Sequence, residues 1–289
     1  MFHNDEISDN GIYAVNVYAL GMPHTVVIDD YLPFMPHPRN PDIHKLSYAF
    51  LGSENAIWGP LLEKALAKFT GNYWHLEGGM IYDGVSMLNG SPFETIVHQP
   101  YARSRDVDQY WNTLRRHDND RSIITCKSSK SAKRSYGGKV KEDHSFAIIK
   151  TVTLSNGERI LKVRNPWGRE LWDGNYSDKS RMWTDKLKSE TDWVDADDGD
   201  FYMSVEDLYS RMESTFVNYD TQDWSLGYFA MFEDPGTQNG RDLSCGATCT
   251  RHRLQVTSEV DQDIWIGAHT WQYYGYGQSD QCPSPSQAE

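Results

Sequence analysis

The stretch His144-Ser145-Phe146-Ala147-Ile148-Ile149-Lys150-Thr151-Val152-Thr153-Leu154-Ser155-Asn156-Gly157-Glu158-Arg159-Ile160-Leu161-Lys162-Val163-Arg164-Asn165-Pro166-Trp167-Gly168 decides how the chain is read. Residues 145–154 and 159–164 are rich in β-branched and apolar side chains and predict two strands. The tetrapeptide between them carries Asn156-Gly157, and that pair tolerates the positive φ a tight hairpin turn requires. His144 then stands at the entry of the hairpin and Asn165 at its exit, both at the open end. A cysteine protease needs this pairing: its imidazole exchanges a proton with a thiol, and a side-chain oxygen selects which ring nitrogen faces the sulfur. Trp167 would lie over the pair and exclude water from its hydrogen bond. On spacing alone a plainer reading stays open, in which His144 opens a buried strand and Asn165 opens a turn. A strict two-residue turn would also set His144 opposite Arg169 and not Asn165, so a bulge or wider loop is expected.

Working outward, residues 11–29 alternate apolar and polar side chains on both sides of Gly21-Met22-Pro23 and predict a second hairpin. Residues 33–41 are proline-rich and are expected to be a loop unable to feed a central strand. Trp58, Leu61, Leu62, Ala65, Leu66 and Phe69 recur at helical spacing, with Ser53 as the expected cap and Gly71 as the stop. Further helices are expected from near Ser91-Pro92 and over 106–116, with a strand at 122–126. Ser204 followed by Asp207 predicts a capped helix through about Met212. Beyond Asp223 short strands are expected at 228–232, 254–257 and 264–266.

Composition narrows the functional classes. With 28 basic and 41 acidic residues the net charge is −13, which disfavours phosphate backbones, so no nucleic-acid partner is expected. No apolar run is long enough for a membrane span and no leader pattern precedes residue 10. The four cysteines, Cys126, Cys245, Cys249 and Cys282, fit neither a disulfide framework nor a zinc pattern, and a cytoplasmic setting is expected. Asp195, Asp197, Asp198 and Asp200 crowd carboxylates into one short loop, which is favourable when the loop is solvated or holds a hard cation.

His144-Ser145-Phe146-Ala147, Arg164-Asn165-Pro166-Trp167-Gly168, Trp172, Gly174 and Asp198-Gly199-Asp200-Phe201-Tyr202-Met203-Ser204 occur in that order. Upstream lie Gly11-Ile12, Val27-Ile28-Asp29-Asp30-Tyr31-Leu32-Pro33, Leu61-Leu62-Glu63-Lys64-Ala65 and Gly78-Gly79. Over residues 5–220 this series resembles the calpain family of papain-like cysteine proteases. The resemblance implies an α+β protease-core half, with an antiparallel sheet and packed helices, over 1–222. A partial C2-like, β-sandwich-like segment would fill 223–289. It implies calcium-dependent endoproteolysis of protein substrates, with His144 and Asn165 as catalytic residues and Trp167 as their support. It also implies calcium held by Asp178, Ala196, Asp198 and Asp200; a further family acid position is Leu171 here, with Glu170 displaced by one. The family's nucleophilic cysteine precedes the segment that resembles Gly11 to Pro33, and no cysteine stands there. The thiol is therefore expected from a separate or missing cysteine-bearing subdomain. The alternative is a catalytically inactive calpain-like binding or regulatory protein. The family's glycine before the histidine is Asp143, which places a negative charge beside the imidazole and in the path of substrate.

Overall fold

The computed structural model describes residues 1–3, 6–19, 21–37, 39–52, 55–99, 103–129, 140–225, 227, 257 and 264–266. Its centre is a six-stranded antiparallel sheet in the order β5-β10-β6-β7-β8-β9. The strands are β5 (Phe93–Val97), β6 (Ile123–Ser128), β7 (Ser145–Thr153), β8 (Arg159–Arg164), β9 (Asp200–Ser204) and β10 (Met212–Asn218). The β7–β8 hairpin closes as its sequence predicts: the Leu154 amide donates to the Glu158 carbonyl at 2.8 Å, and Gly157 takes φ 89°. Thr153 faces Arg159 and Lys150 faces Lys162, but Ile148 faces Val163, so Ile149 is a bulge. That bulge takes up one residue of the slack the spacing predicts.

The two faces of the sheet carry different cores, because successive residues of a strand point to opposite sides. Leu161, Val163, Phe201 and Met203 join Phe146 and Ile148 in one buried cluster. It is roofed by α3 (Ser104–Asn119) through Val107, Tyr110, Trp111 and Leu114, and by α5 (Val205–Arg211) through Leu208 and Tyr209. Ile160 and Tyr202 face the other way, into a smaller cluster with Tyr176, Trp183 and Leu187 of α4 (Asp185–Ser189). The α5 cap is as predicted: the Ser204 hydroxyl accepts from the Asp207 amide at 3.1 Å.

A second assembly lies towards the N-terminus. β1 (Ile12–Ala19) and β2 (Met22–Asp29) pair in register, Ala19 opposite Met22. Their apolar face, Val15, Val17, Val26 and Ile28, packs on Leu61, Leu62 and Ala65 of α1 (Trp58–Thr70). A helix α2 (Ile81–Asn89) then links β1 to the main sheet, and Asn218 Nδ2 donates to the Tyr82 carbonyl and the Ser86 hydroxyl.

Four local expectations are corrected. No helix starts at Ser91-Pro92: α2 ends just before it at Gly90, which takes the left-handed conformation, and the alternating residues that follow pair with β10 as β5. Residues 33–41 are no mere loop, since β3 (Phe34–His37) and β4 (Asn40–Leu46) form a separate ribbon. Prolines are tolerated there because such a ribbon has open edges, and it stays apart from the central sheet. Trp58 is exposed, whereas Ala67, off the predicted stripe, is buried. Ile264, Trp265 and Ile266 form no strand; Trp265 instead packs its ring 4.5 Å from that of Tyr219. Ser53, residues 228–232 and 254–256, and almost all of the expected C2-like segment lie outside the described residues.

Candidate active site

His144 and Asn165 meet. Phe146 lies opposite Asn165 by continuation of the β7–β8 register, so His144 is the diagonal neighbour of Asn165 on the same face of the sheet. Diagonal antiparallel neighbours are within reach of a long side chain, and the imidazole Nε2 lies 2.8 Å from Asn165 Oδ1. The amide orientation is set by its other contacts. Asn165 Nδ2 donates to the Arg169 carbonyl at 2.7 Å, and Oδ1 also accepts the Trp167 amide at 3.2 Å. Oδ1 can only accept, so His144 carries its proton on Nε2. Nδ1 is thereby left for a reacting thiol, and that is the arrangement cysteine-protease chemistry needs.

The surroundings hold this pair in place. Asn165 is fully buried; its own amide donates to the Gly199 carbonyl at 2.8 Å. The Gly168 amide closes the Asn165-Pro166-Trp167-Gly168 turn on the Asn165 carbonyl at 3.0 Å, with Gly168 at φ 66°. The indole of Trp167 lies 4.3 Å from the imidazole, centroid to centroid, and is 56% exposed, so it covers the histidine while meeting solvent. Phe146 presents an edge to the same imidazole at 4.8 Å. Gly199 approaches this turn so closely that a Cβ there would sit 2.8 Å from the Asn165 carbonyl oxygen and 2.9 Å from Gly168 Cα.

Asp143 has φ 47°, a left-handed conformation that explains why glycine suits this position and why aspartate, which tolerates it better than most residues, can replace it. Its carboxylate is engaged by Lys127 at 3.1 Å. Cys126 is no nucleophile: it is fully buried in the main core opposite Phe146, and burial pushes its thiol well up. Cys245, Cys249 and Cys282 lie outside the described residues.

The acidic residues divide into two groups. Asp178 is 6% exposed, and its Oδ2 has no hydrogen-bond partner among the described residues. Burial first, then the neighbouring Glu170 carboxylate, push its pKa up to about 7. Glu170 accepts the Asp178 amide at 3.0 Å, and its own amide donates to Asp197 Oδ1 at 2.7 Å. Glu170, not Leu171, therefore faces Asp178. Asp198 folds its carboxylate back on the Asp200 amide at 2.9 Å. Asp200 turns the other way, into ion pairs with Arg164 at 2.6 Å and Lys162 at 3.0 Å. Among the described residues no three His, Cys, Asp or Glu side chains already converge as a metal site. The donor chemistry of Glu170, Asp178 and Asp198 nevertheless suits a hard cation, and the orphaned Asp178 oxygen is an unfilled demand for one.

Residues 1–218 match the model of the calpain family of cysteine proteases. The calpain-type cysteine protease DEK1 of Zea mays is 31% identical over 218 residues, covering 73% of this chain and 10% of that protein. Calpain-12 of Mus musculus is 31% identical over 217 residues, covering 72% of this chain and 28% of that protein. Calpain-8 of Rattus norvegicus is 27% identical over 276 residues, covering 88% of this chain and 37% of that protein. The chain thus spans about a tenth of the maize relative and little more than a third of the rat one.

Proposed function

This chain belongs to the calpain family of cysteine proteases, and from that premise we propose that it supplies the imidazole and carboxamide of a calcium-dependent endopeptidase centre whose thiol comes from a cysteine-bearing subdomain. The observation that carries the reading is the 2.8 Å contact of His144 Nε2 with Asn165 Oδ1 beneath Trp167. In the proposed cycle His144 Nδ1 takes the thiol proton, and the thiolate attacks the scissile carbonyl of a protein substrate. The imidazolium returns that proton to the departing amine, leaving a thioester. His144 then deprotonates water, which attacks the thioester carbonyl and releases the acid and the thiol. Asn165 keeps the ring oriented throughout, and the indole shields their hydrogen bond from water. The setting proposed is cytoplasmic.

Calcium belongs to the proposal through Asp178, Glu170, Asp198 and the main chain at Ala196, with Asp200 remaining an ion-pair partner of β8. A hard cation supplies neutralisation of the crowded carboxylates. This chain's residues do the rest. Glu170 and Gly199 tie the acidic loop to the turn that holds Asn165.

The test mixes this chain with a recombinant cysteine-bearing calpain subdomain and follows cleavage of a fluorogenic peptide, with calcium or with a chelator. Calcium-dependent turnover that His144→Ala abolishes is the expected result. No turnover at any ratio of folded partners would favour the non-catalytic, binding or regulatory alternative.

A further inference from the structure

The imidazole is placed by its main chain as much as by Asn165, and that main chain is held from one side by β6. The Ser128 amide donates to the His144 carbonyl at 2.9 Å, and the His144 amide donates to the Ser128 hydroxyl at 3.0 Å. The same hydroxyl reaches the Lys141 carbonyl, and Ser128 is fully buried. Both polar groups of the His144 backbone are therefore fixed from residue 144 onward. The chain enters this clasp through Asp143 at φ 47°. A side chain in that region costs roughly 1–2 kcal/mol relative to the right-handed region, so something must hold it there. Lys127, the neighbour of Ser128 on β6, is in place to do so. Its ammonium lies 3.1 Å from Asp143 Oδ1 and 3.3 Å from Glu213 Oε1 at the start of β10.

We propose that Lys127 is a positioning residue for the active-site imidazole: bridged to Glu213, it pins Asp143 in the left-handed turn that presents His144 Nε2 to Asn165. Lys127 touches neither the imidazole nor, in the proposed cycle, any reacting atom. Its effect passes through the backbone of residue 143. A glycine at this position would need no such clamp, since glycine adopts positive φ freely; here an aspartate and a lysine hold the turn together. The inference rests on the reading of His144 as the catalytic base, but its test does not require catalysis.

The experiment uses the full chain labelled with 15N-histidine and measures solvent exchange of the His144 Nε2 proton by NMR, with thermal melts to confirm folding. Asp143→Ala and Asp143→Gly both remove the carboxylate, but only glycine keeps the turn without a Cβ. Exchange about tenfold faster in Asp143→Ala, and within about twofold of wild type in Asp143→Gly, is expected from the free-energy cost above. Lys127→Met should behave like Asp143→Ala, and adding Asp143→Gly to it should restore slow exchange. Equal exchange in Asp143→Ala and Asp143→Gly would overturn the proposal, as would a folded Lys127→Met with unchanged exchange. If Lys127→Met does not fold, Lys127→Gln, which keeps the stem and removes the charge that meets Asp143 and Glu213, decides by the same criterion: faster exchange supports the proposal and unchanged exchange overturns it. Loss of peptidase complementation with these NMR results intact would count against the catalytic reading and leave the positioning role standing.

Discussion

Replacing Gly199 by alanine should damage the fold and the catalytic pair together. Gly199 holds φ 93°, where an L side chain costs roughly 1–2 kcal/mol. The added Cβ would meet the Asn165 carbonyl oxygen at 2.8 Å, Gly168 Cα at 2.9 Å and the Arg169 amide nitrogen at 3.1 Å. All three are backbone atoms, so no side chain can swing away, and overpacking of this kind typically costs about 1–3 kcal/mol. Against this, alanine narrows the unfolded ensemble by roughly 0.4–1 kcal/mol. The net loss expected is about 1–4.6 kcal/mol, a melting-temperature drop of roughly 2–18 °C for a domain of this size. Urea unfolding followed by tryptophan fluorescence measures the loss. The relief the structure allows is a shift of the Asn165 turn away from β9, so the His144 Nε2 proton should also exchange faster in the folded variant. A stability change below about 0.5 kcal/mol, with His144 exchange unaltered, would refute the close approach of these two segments and the reasoning built on it.

Three further outcomes follow from the site. Asn165→Ala strands the His144 Nε2–H, the Trp167 amide and the Arg169 carbonyl; a loss of about 2–4 kcal/mol by urea midpoint is expected, and a near-neutral result would show those groups are solvated. The folded pKa of Asp178, about 7, lies above its ordinary 3.8, so its contribution is fully present below about pH 4 and drains away as pH rises through 7. In chelator, Asp178→Asn should therefore melt higher than wild type at pH 8 and show the smaller difference at pH 5; parallel melting curves across that range contradict the assignment. Cys126, buried and with its thiol held up, should react with a maleimide at least tenfold more slowly in the native chain than in urea, as read by peptide mass mapping; comparable rates would place it at the surface.

Local chemistry made much of this protein legible as sequence. The Asn156-Gly157 turn, the paired strands around it, the Ser204 cap and the apolar stripe of α1 are dictated by backbone torsions and side-chain periods that act over a few residues. His144, Asn165 and Trp167 were readable for the same reason, since one hairpin brings them together. What lies across strands was not. Lys127 and Ser128 carry no motif, and they reach His144 only because β6 pairs with β7. The division of the acidic loop was hidden too: Asp200 faces Lys162 and Arg164 because β9 pairs with β8 in that register, while Glu170 comes to Asp178 through a turn. Pro36 reads as loop until an isolated ribbon gives it an open edge. Short-range torsion and periodicity thus determined the elements and the histidine–asparagine pair, whereas strand register, a long-range property, decided which charges meet and what holds the imidazole in place.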